Sequence, residues 1–221
     1  MEKPITTKRS YGDLCGIARA LDVVGERWAL LVVRELTLGP KRFTDLRAGL
    51  PQVGPDVLAQ RLRELEQSGV VQRRTLAPPA GSRVYELTER GRALEPVLIE
   101  LGRWGTFAPV PPGDPRLGVD STMIALKTLF DGEAAGGMEA TYELRLGDQT
   151  FRAAVGDGRL ELERGEAPSP VAVIASDPGT LAEVLWQGRP LADAQRSGDA
   201  WVEGDRRAAA RFLKLFPLPV S

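Results

Sequence analysis

Arginine and amide side chains between residues 60 and 74 offer the clearest chemistry in this sequence. Gln60, Arg61 and Arg63 lie in one segment, and Arg73 and Arg74 follow it. Guanidinium groups bind phosphate oxygens, and arginine or glutamine side chains also pair with base edges in the major groove of DNA. These residue types therefore indicate contact with a nucleic acid.

Catalysis and metal binding have little support in the composition. The 221 residues contain no His and a single Cys, which excludes every catalytic triad or metal site that requires imidazole. No cluster of carboxylates at ligand spacing is evident in the sequence either. We therefore expect no enzymatic activity, no cofactor and no bound metal.

Composition and charge divide the chain near its middle. A chain of this length with 43% hydrophobic residues can bury two small cores, so we expect two domains. We predict a first domain over residues 1–107, a linker rich in Pro and Gly over 108–118, and a second domain over 119–221. The first has 17 Lys and Arg against 13 Asp and Glu, and the remainder has 12 against 17. Only the first half is therefore suited to a polyanion.

The sequence also suggests a cellular compartment. It shows no apolar run of membrane-spanning length, and residues 1–13 lack the hydrophobic segment of a secretory signal. A lone cysteine cannot form an internal disulfide, which agrees with a reducing environment. We expect a cytoplasmic protein that does not associate with a membrane.

Helical periodicity dominates the start of the first half. Apolar residues at alternating steps of four and three predict a buried stripe, which Gly25 divides between two helices. The stripe consists of Ile17, Leu21, Val24, Trp28 and Leu31. The second helix is expected to end before Gly39 and Pro40. Thr44 is expected to cap a short helix that closes before Pro51.

The next helix is the one best suited to read DNA. Pro55 fits its first turn, and Gly69 stands where a C-cap glycine belongs. Its inward face consists of Leu58, Leu62 and Leu65. Its outward face carries Asp56, Gln60, Arg63 and Gln67, with Ala59 and Arg61 beside them.

After Gly69 the apolar period changes to that of strands. VVQRRTL and RVYELT predict a hairpin that carries Arg73, Arg74 and Arg83, and Thr88 is expected to cap a last helix. Helices followed by a basic hairpin make a winged helix-turn-helix unit. In such a unit one helix enters the major groove, while wing arginines and backbone amides at helix starts bind phosphates.

Each basic residue also has a structural interpretation. Arg61 and Arg63 could pair with glutamates on their own helix, and the wing arginines could be edge-strand charges that oppose aggregation. Lys41 and Arg42 precede a predicted helix N-terminus, where they are candidate anchors for the DNA backbone.

Several spaced segments resemble the HxlR-type winged-helix transcriptional regulators of bacteria. They are CGIARALDVVGERWALLVVREL, RFTDLRAGLP, VLAQRLRELEQSGVVQRR and VYELTERGRALEPVLIELGRWG. The resemblance implies a homodimer, built largely from the helices that flank the winged core, on a two-fold-symmetric DNA operator. Gly54 and Asp56 depart from the Ser and the basic or amide residue common in relatives, so base preference stays open.

Cys15 has two interpretations. A lone small residue near a helix start is usually a packing residue. The resemblance adds a second possibility, because some relatives respond to oxidants or electrophiles through a cysteine in this region. Lys8 and Arg9 lie nearby in sequence and would favour a thiolate.

The second half alternates between polar and apolar residues. TYELRLG, QTFRAAVG, RLELERG, PVAVIAS and DAWVEGD predict an antiparallel sheet. STMIALKTLFDG, DPGTLAEVLWQG and RRAAARFLKLF predict helices on one side of that sheet, which is an α+β arrangement with room for a cavity between the layers.

These segments resemble a sterol-carrier-protein-type-2-like lipid-binding domain. The resemblance rests on GDQTFRAAVGDGRLELERG, on the DPGTLAEVLWQG helix and on SGDAWVEGDRRAAARFLKLFP. It implies an apolar tunnel for a lipophilic molecule. The candidate lining residues, which could equally be plain core, are Phe130, Leu181, Leu185, Trp186, Trp201, Phe212 and Phe216.

The two halves together predict a homodimeric regulator that binds double-stranded DNA and responds to a lipophilic small molecule in its second domain. The alternative is a constitutive or Cys15-based redox-responsive DNA-binding protein whose second domain serves only assembly. A lipophilic compound that raises the melting temperature of the second domain would discriminate between them.

Overall fold

The computed structural model describes residues 10–77, 81–110, 112–113 and 117–219. Contacts between Cα atoms divide the chain into two compact units that meet between Leu94 and Glu95. The N-terminal unit precedes this junction and the C-terminal unit follows it. The residues between the wing strands at 78–80, and positions 111 and 114–116 of the predicted linker, lie outside the described residues.

The N-terminal unit is helical apart from one hairpin. Its described helices are α1 (Gly16–Val24), α2 (Ala29–Leu36), α3 (Phe43–Gly49), α4 (Pro55–Gln67) and α5 (Glu89–Arg92), and its strands are β1 (Val71–Thr75) and β2 (Arg83–Leu87). Its core combines Val32, Val33 and Leu36 of α2 with apolar residues of α3 and α4. The predicted order of helices and wing is therefore confirmed.

The predicted buried stripe is wrong for the first helix. Ile17 is 73% exposed and Leu21 is 42% exposed, whereas Val24 is buried as expected. Trp28 interrupts the stripe, because it adopts a left-handed backbone conformation with φ of 79° and caps α2 without a side-chain hydrogen bond. The apolar face of α1 therefore has no cover within the described part of the N-terminal unit.

The last helix of the predicted winged domain is in fact two helices. Thr88 caps α5 as expected, since its hydroxyl accepts a hydrogen bond from the Gly91 N–H at 3.1 Å. Helix α5 then ends, and a separate helix, α6 (Glu95–Gly105), follows it. Pro96 explains the break, because proline lacks an amide proton and its ring clashes with the carbonyl four residues earlier in a continuous helix.

The C-terminal unit is an α+β layer. Besides α6, its described helices are α7 (Val119–Leu129), α8 (Gly132–Ala135), α9 (Pro178–Trp186), α10 (Leu191–Arg196) and α11 (Arg206–Leu213). Its strands are β3 (Ala140–Leu146), β4 (Gln149–Gly156), β5 (Arg159–Arg164), β6 (Ala172–Ser176) and β7 (Ala200–Gly204). The five predicted strands are thus confirmed. Helix α6 belongs to this unit by its contacts with α7, although the first domain was predicted to run through residue 107.

The sheet has the order β5-β4-β3-β6-β7. All neighbours are antiparallel except β3 and β6, which are parallel, so the prediction of a purely antiparallel sheet is wrong. The reason is the connection after β5, which crosses to the far side of β3 before β6 begins. Alternation reveals which residues are buried but not which strands are neighbours.

One face of this sheet forms the core of the C-terminal unit. The Phe212 ring of α11 packs on the Tyr142 ring of β3 with 4.4 Å between centroids, and Phe216 packs edge-on to Phe212 at 5.1 Å. Helix α7 approaches the same face at β5, where Asp120 pairs with Arg164. The sheet and its helices thus enclose a closely packed apolar layer.

Candidate nucleic-acid interface

Helices α3 and α4 with the turn between them form a helix-turn-helix. Helix α4 begins at Pro55, whose fixed φ suits a first turn, and ends before Gly69, which has φ of +69°. Its inward leucines at 58, 62 and 65 are buried, as predicted. These features fix which face of α4 points away from the core.

The outward face of α4 carries polar groups and one apolar side chain. Asp56, Val57, Gln60 and Arg63 are all exposed. The Arg63 guanidinium donates a hydrogen bond to Gln60 Oε1 at 2.6 Å, and Gln60 Nε2 donates to Glu64 at 2.7 Å. Gln60 therefore orients Arg63, and together they can present donors and an acceptor to base edges.

Two basic residues predicted for DNA contact lie elsewhere. Lys41 is buried, and its Nζ is 2.7 Å from Glu35 Oε2, which is also buried. Arg61 has a largely buried side chain that pairs with Glu64, and it lies 3.6 Å from Glu26. Both cations are neutralised within the N-terminal unit, so we remove them from the interface.

The start of α3 also differs from the prediction. Arg42 is the N-cap residue, and its N–H donates a hydrogen bond to Asp45 at 3.1 Å. Thr44 therefore lies inside the first turn rather than at the cap, although it remains exposed. Arg42 is exposed as well, so it keeps its predicted role as a candidate contact to the DNA backbone.

The wing presents its arginines outward. β1 and β2 are antiparallel, with Arg73 opposite Tyr85 and Thr75 opposite Arg83. The Arg73 guanidinium lies 3.0 Å from Glu66 and 5.4 Å from the centre of the Tyr85 ring. Arg74 pairs with Glu86 at 3.1 Å. These exposed ion pairs contribute little and exchange readily for phosphate.

Arg83 and Arg47 are exposed arginines without an ion pair to any described residue. Arg83 was predicted for the wing, whereas Arg47, on α3, was missed. Val57 was missed too, although an apolar residue off the buried stripe of α4 was a readable signal. An exposed valine beside Gln60 can contact a thymine methyl group.

The C-terminal unit has a surface groove of about 360 Å³. Its lining residues are Val184, Leu185, Arg189, Pro190, Leu191, Ala210, Leu213, Lys214, Phe216 and Pro217. Of the seven predicted ligand contacts, Leu185 and Phe216 are among them. At its rim, hydrogen bonds to Asp199 and then Glu183 raise the pKa of Arg189.

The other predicted ligand contacts do not line this groove. Phe212 and Leu181 are buried in the core, and Phe130 packs against Phe216 at 6.0 Å between ring centroids. The Trp186 indole N–H donates to the Phe216 carbonyl at 3.1 Å. Trp201 is 52% exposed, because it points to the sheet face opposite the core. Phe130 and Phe212 therefore serve packing in this structure.

Cys15 is free and exposed at the start of α1. Its N–H donates a hydrogen bond to Asp13 at 2.8 Å, and its side chain makes no capping hydrogen bond. It is therefore accessible to oxidants, and it is not a packing residue within the described part of its unit. Lys8 and Arg9, which were expected to act on it, lie outside the described residues.

Within the described part of the chain, no three or more His, Cys, Asp or Glu residues lie together in a group that could hold a metal ion. No described helix is both long enough and apolar enough to cross a membrane.

The fold and its exposed side chains define a helix-turn-helix DNA-binding transcriptional regulator. The model of a family described as HxlR-like helix-turn-helix matches residues 23–109. The relatives below agree with this match over most of their own length. The chain therefore belongs to the HxlR family, and it is a bacterial transcriptional regulator.

Two relatives come from Bacillus subtilis (strain 168). The uncharacterized HTH-type transcriptional regulator YvaP is 42% identical over 89 residues, which are 40% of this chain and 82% of YvaP. The HTH-type transcriptional regulator YodB is 39% identical over 85 residues, 38% of this chain and 76% of YodB. The structure of the reduced form of YodB from B. subtilis is 36% identical, covers 46% of this chain and 100% of that chain, and has a TM-score of 0.39.

Proposed function

We propose that this chain is a homodimer that binds a two-fold-symmetric DNA operator through α4 and the wing. The observation that carries the proposal is the exposed row of Val57, Gln60 and Arg63, which lies opposite the buried leucines of α4. A helix with this geometry can insert its outward face into the major groove, while Arg73 and Arg83 reach phosphates beside it.

Exposed apolar stripes on two helices support the homodimer. Leu14, Ile17 and Leu21 follow one side of α1 and its approach. Helix α6 exposes Val97, Leu101 and Trp104 at the same helical spacing. Contiguous apolar surface of this kind usually marks an interface, and each stripe suits contact with a second copy.

The DNA contacts can be tested by separating base reading from phosphate binding. An operator is first selected from a random DNA library, and affinities are then measured by fluorescence anisotropy over a range of salt. Arg63→Ala should weaken binding and relax the preference at one base pair in each half-site, at a cost of about 1–3 kcal/mol. Arg73→Ala should weaken binding to all sequences alike and reduce the salt slope by about one.

Arg159→Ala is the matched control, because Arg159 is an exposed arginine on β5 of the C-terminal unit. It should leave both the affinity and the salt slope unchanged. Equal, sequence-independent losses in Arg63→Ala and Arg73→Ala would contradict the roles given to α4 and the wing.

We further propose that a lipophilic small molecule binds the C-terminal unit and controls DNA affinity. Support comes from the apolar walls of the groove at Val184, Leu185, Leu213 and Phe216, and from the resemblance to sterol-carrier-type domains. For regulation, the ligand must bind the two functional states with different affinity, and a coupling of about 1–3 kcal/mol suffices.

Native mass spectrometry of the purified protein, compared with a denatured and solvent-extracted sample, tests this ligand. Extra non-covalent mass at one copy per chain would support it, and Leu185→Trp should abolish that mass by filling the groove. A ligand-free protein with no thermal shift towards lipophilic compounds would contradict it.

The alternative regulator is Cys15, with a C-terminal unit that serves only assembly. The exposure of this thiol beside the apolar stripe of α1 favours it. Treatment with diamide should then change operator affinity in the wild-type chain and leave Cys15→Ser unaffected. An equal response from both chains would exclude this thiol as the sensor.

A further inference from the structure

A second cavity of about 340 Å³ lies within the N-terminal unit. It is bounded by α1, by the residue that begins the approach to β1, and by α5 with the two residues that follow it. Its lining residues are Gly16, Arg19, Ala20, Val23, Val24, Val70, Arg90, Ala93 and Leu94. None of them is needed for the DNA contacts proposed above.

The lining has an unusual distribution of charge. Its walls are aliphatic and small, whereas its two charged members, Arg19 and Arg90, are both cations on exposed positions. No acidic residue is among these lining residues. An apolar space with guanidinium groups at its edge complements a molecule that has an apolar body and a single anionic head. A carboxylate is a singly charged head group that guanidinium binds in a bidentate manner, as it also does phosphate.

One of these arginines also supports the end of the DNA-reading helix. Arg90 Nη1 donates a hydrogen bond to the Ser68 carbonyl at 2.9 Å, and Ser68 is the C-cap of α4. Next to it, Thr88 Oγ1 donates to the Gly69 carbonyl at 2.6 Å. Val70, which lines the cavity, donates its N–H to the Leu65 carbonyl at 2.9 Å. The floor of the cavity is thus the junction between α4 and β1.

We propose that this cavity binds a small organic monocarboxylate, with its apolar body between α1 and α5 and its carboxylate on Arg19 and Arg90. A carboxylate on Arg90 competes with the Ser68 carbonyl for the same guanidinium. Binding therefore loosens the C-terminal end of α4 and the turn into the wing. The effect on DNA rests on the operator binding proposed above, whereas the ligand site itself does not.

Isothermal titration of the full chain with 1-naphthoate tests the site without DNA. Naphthoate should bind once per chain, and the uncharged amide 1-naphthamide should bind more weakly. Arg19→Ala should weaken naphthoate binding about three- to tenfold, as expected for one charge-assisted hydrogen bond in a partly exposed site. Arg19 has no side-chain partner among the described residues, so this change should leave the fold intact.

Matched variants locate the binding. Arg92→Ala removes an exposed arginine of α5 that does not line the cavity, and it should have no effect. Ala20→Trp should abolish binding by filling the space. The site is overturned if naphthoate does not saturate, if Arg19→Ala and Arg92→Ala behave alike, or if only Lys214→Ala, at the other groove, reduces binding.

Operator affinity gives the second readout. Saturating naphthoate should weaken operator binding of the wild-type chain several-fold and should not affect the Ala20→Trp variant. Naphthoate binding without a change in operator affinity overturns the coupling and leaves the site. Failure to bind any operator in the absence of naphthoate overturns the proposed function instead.

Discussion

At the scale of single residues, Lys41 pairs with Glu35, and we expect this lysine to contribute to the stability of the fold and not to DNA binding. Their side chains are both buried, and the Nζ to Oε2 distance is 2.7 Å. Lys41→Met leaves the Glu35 carboxylate buried, with the Arg34 guanidinium still 2.8 Å away. We expect a loss of about 3 kcal/mol in the free energy of unfolding, because removing one partner of a buried ion pair is costly. Urea unfolding measures it.

The same variant should keep the salt slope of DNA binding, because Lys41 does not reach phosphate. Combining Lys41→Met with Glu35→Gln should recover part of the lost stability, since the buried carboxylate that lost Lys41 is then neutral. A slope reduced by about one with unchanged stability would instead restore Lys41 to the DNA interface.

Glu143 makes the stability of the C-terminal unit depend on pH. The Ala167 N–H, at 2.8 Å, and then Arg145 hold the pKa of this carboxyl below its usual value, and they outweigh the opposite effect of burial. A lowered folded-state pKa means that the stabilisation is complete above the unfolded-state pKa of about 4.3 and is lost as pH falls through the folded-state value. The stability advantage of the wild type over Glu143→Gln should therefore be largest at pH 7 and should narrow below about pH 4.3.

Urea unfolding between pH 3 and pH 7 measures that advantage. Glu161→Gln is the control, because Glu161 is an exposed glutamate on strand β5 of the same sheet and should show little difference from wild type at any pH. If the difference in the free energy of unfolding between wild type and Glu143→Gln is the same from pH 3 to pH 7, lost packing rather than charge accounts for it.

At the scale of elements, the end of α4 depends on one left-handed residue. Gly69 has φ of +69°, and a Cβ there would meet nothing within 4 Å. Gly69→Ala therefore tests backbone strain alone, and we expect a loss of about 1 kcal/mol in the free energy of unfolding. Gly16→Ala is the control, since Gly16 lies in α1 and also has open space around its Cβ position. An equal loss in both variants would contradict the strain argument.

The elements that sequence predicts best are those whose signals are local. Pro55, the leucines of α4 and Gly69 fix that helix from its own residues, and alternation fixes the strands of the C-terminal sheet. Pro96 carried a local signal as well, because a proline inside a helical pattern marks a break. The parallel pairing of β3 with β6 had none, since it depends on where the chain goes after β5.

In the candidate site, too, the residues that were predicted well are those whose position depends only on local pattern. Arg63 and Gln60 lie on the exposed face of α4, as expected, because helical spacing alone puts them opposite the buried leucines. Lys41 was expected at the DNA because its partner, Glu35, comes from helix α2, which pattern does not bring to it. Arg61 pairs with Glu64 of its own helix, which was the structural alternative that the sequence left open. Of the predicted ligand contacts, only Leu185 and Phe216 line the groove, since an aromatic residue that lines a cavity and one that fills a core have the same sequence pattern.

At the scale of the whole molecule, the exposed apolar stripe of α1 is the feature that most clearly calls for a partner surface. Leu14 is 94% exposed and Ile17 is 73% exposed in the single chain. A helix that leaves such residues in water loses the free energy that burial would contribute, about 1.5–3 kcal/mol for each fully buried side chain. A second copy is the partner that a two-fold-symmetric operator requires. We therefore expect the stripe to be buried in the homodimer that we propose.

Changing both residues to glutamate should convert the dimer to a monomer, because each glutamate would place a charge in an apolar contact. Sedimentation equilibrium measures the mass, and anisotropy measures binding to whole and half operators. The double variant should lose affinity for the whole operator and keep its weak affinity for one half-site. Val171→Glu changes an exposed valine of the C-terminal unit and should remain dimeric. A double variant that stays dimeric would move the interface away from α1 and leave the stripe of α6 as the contact to test.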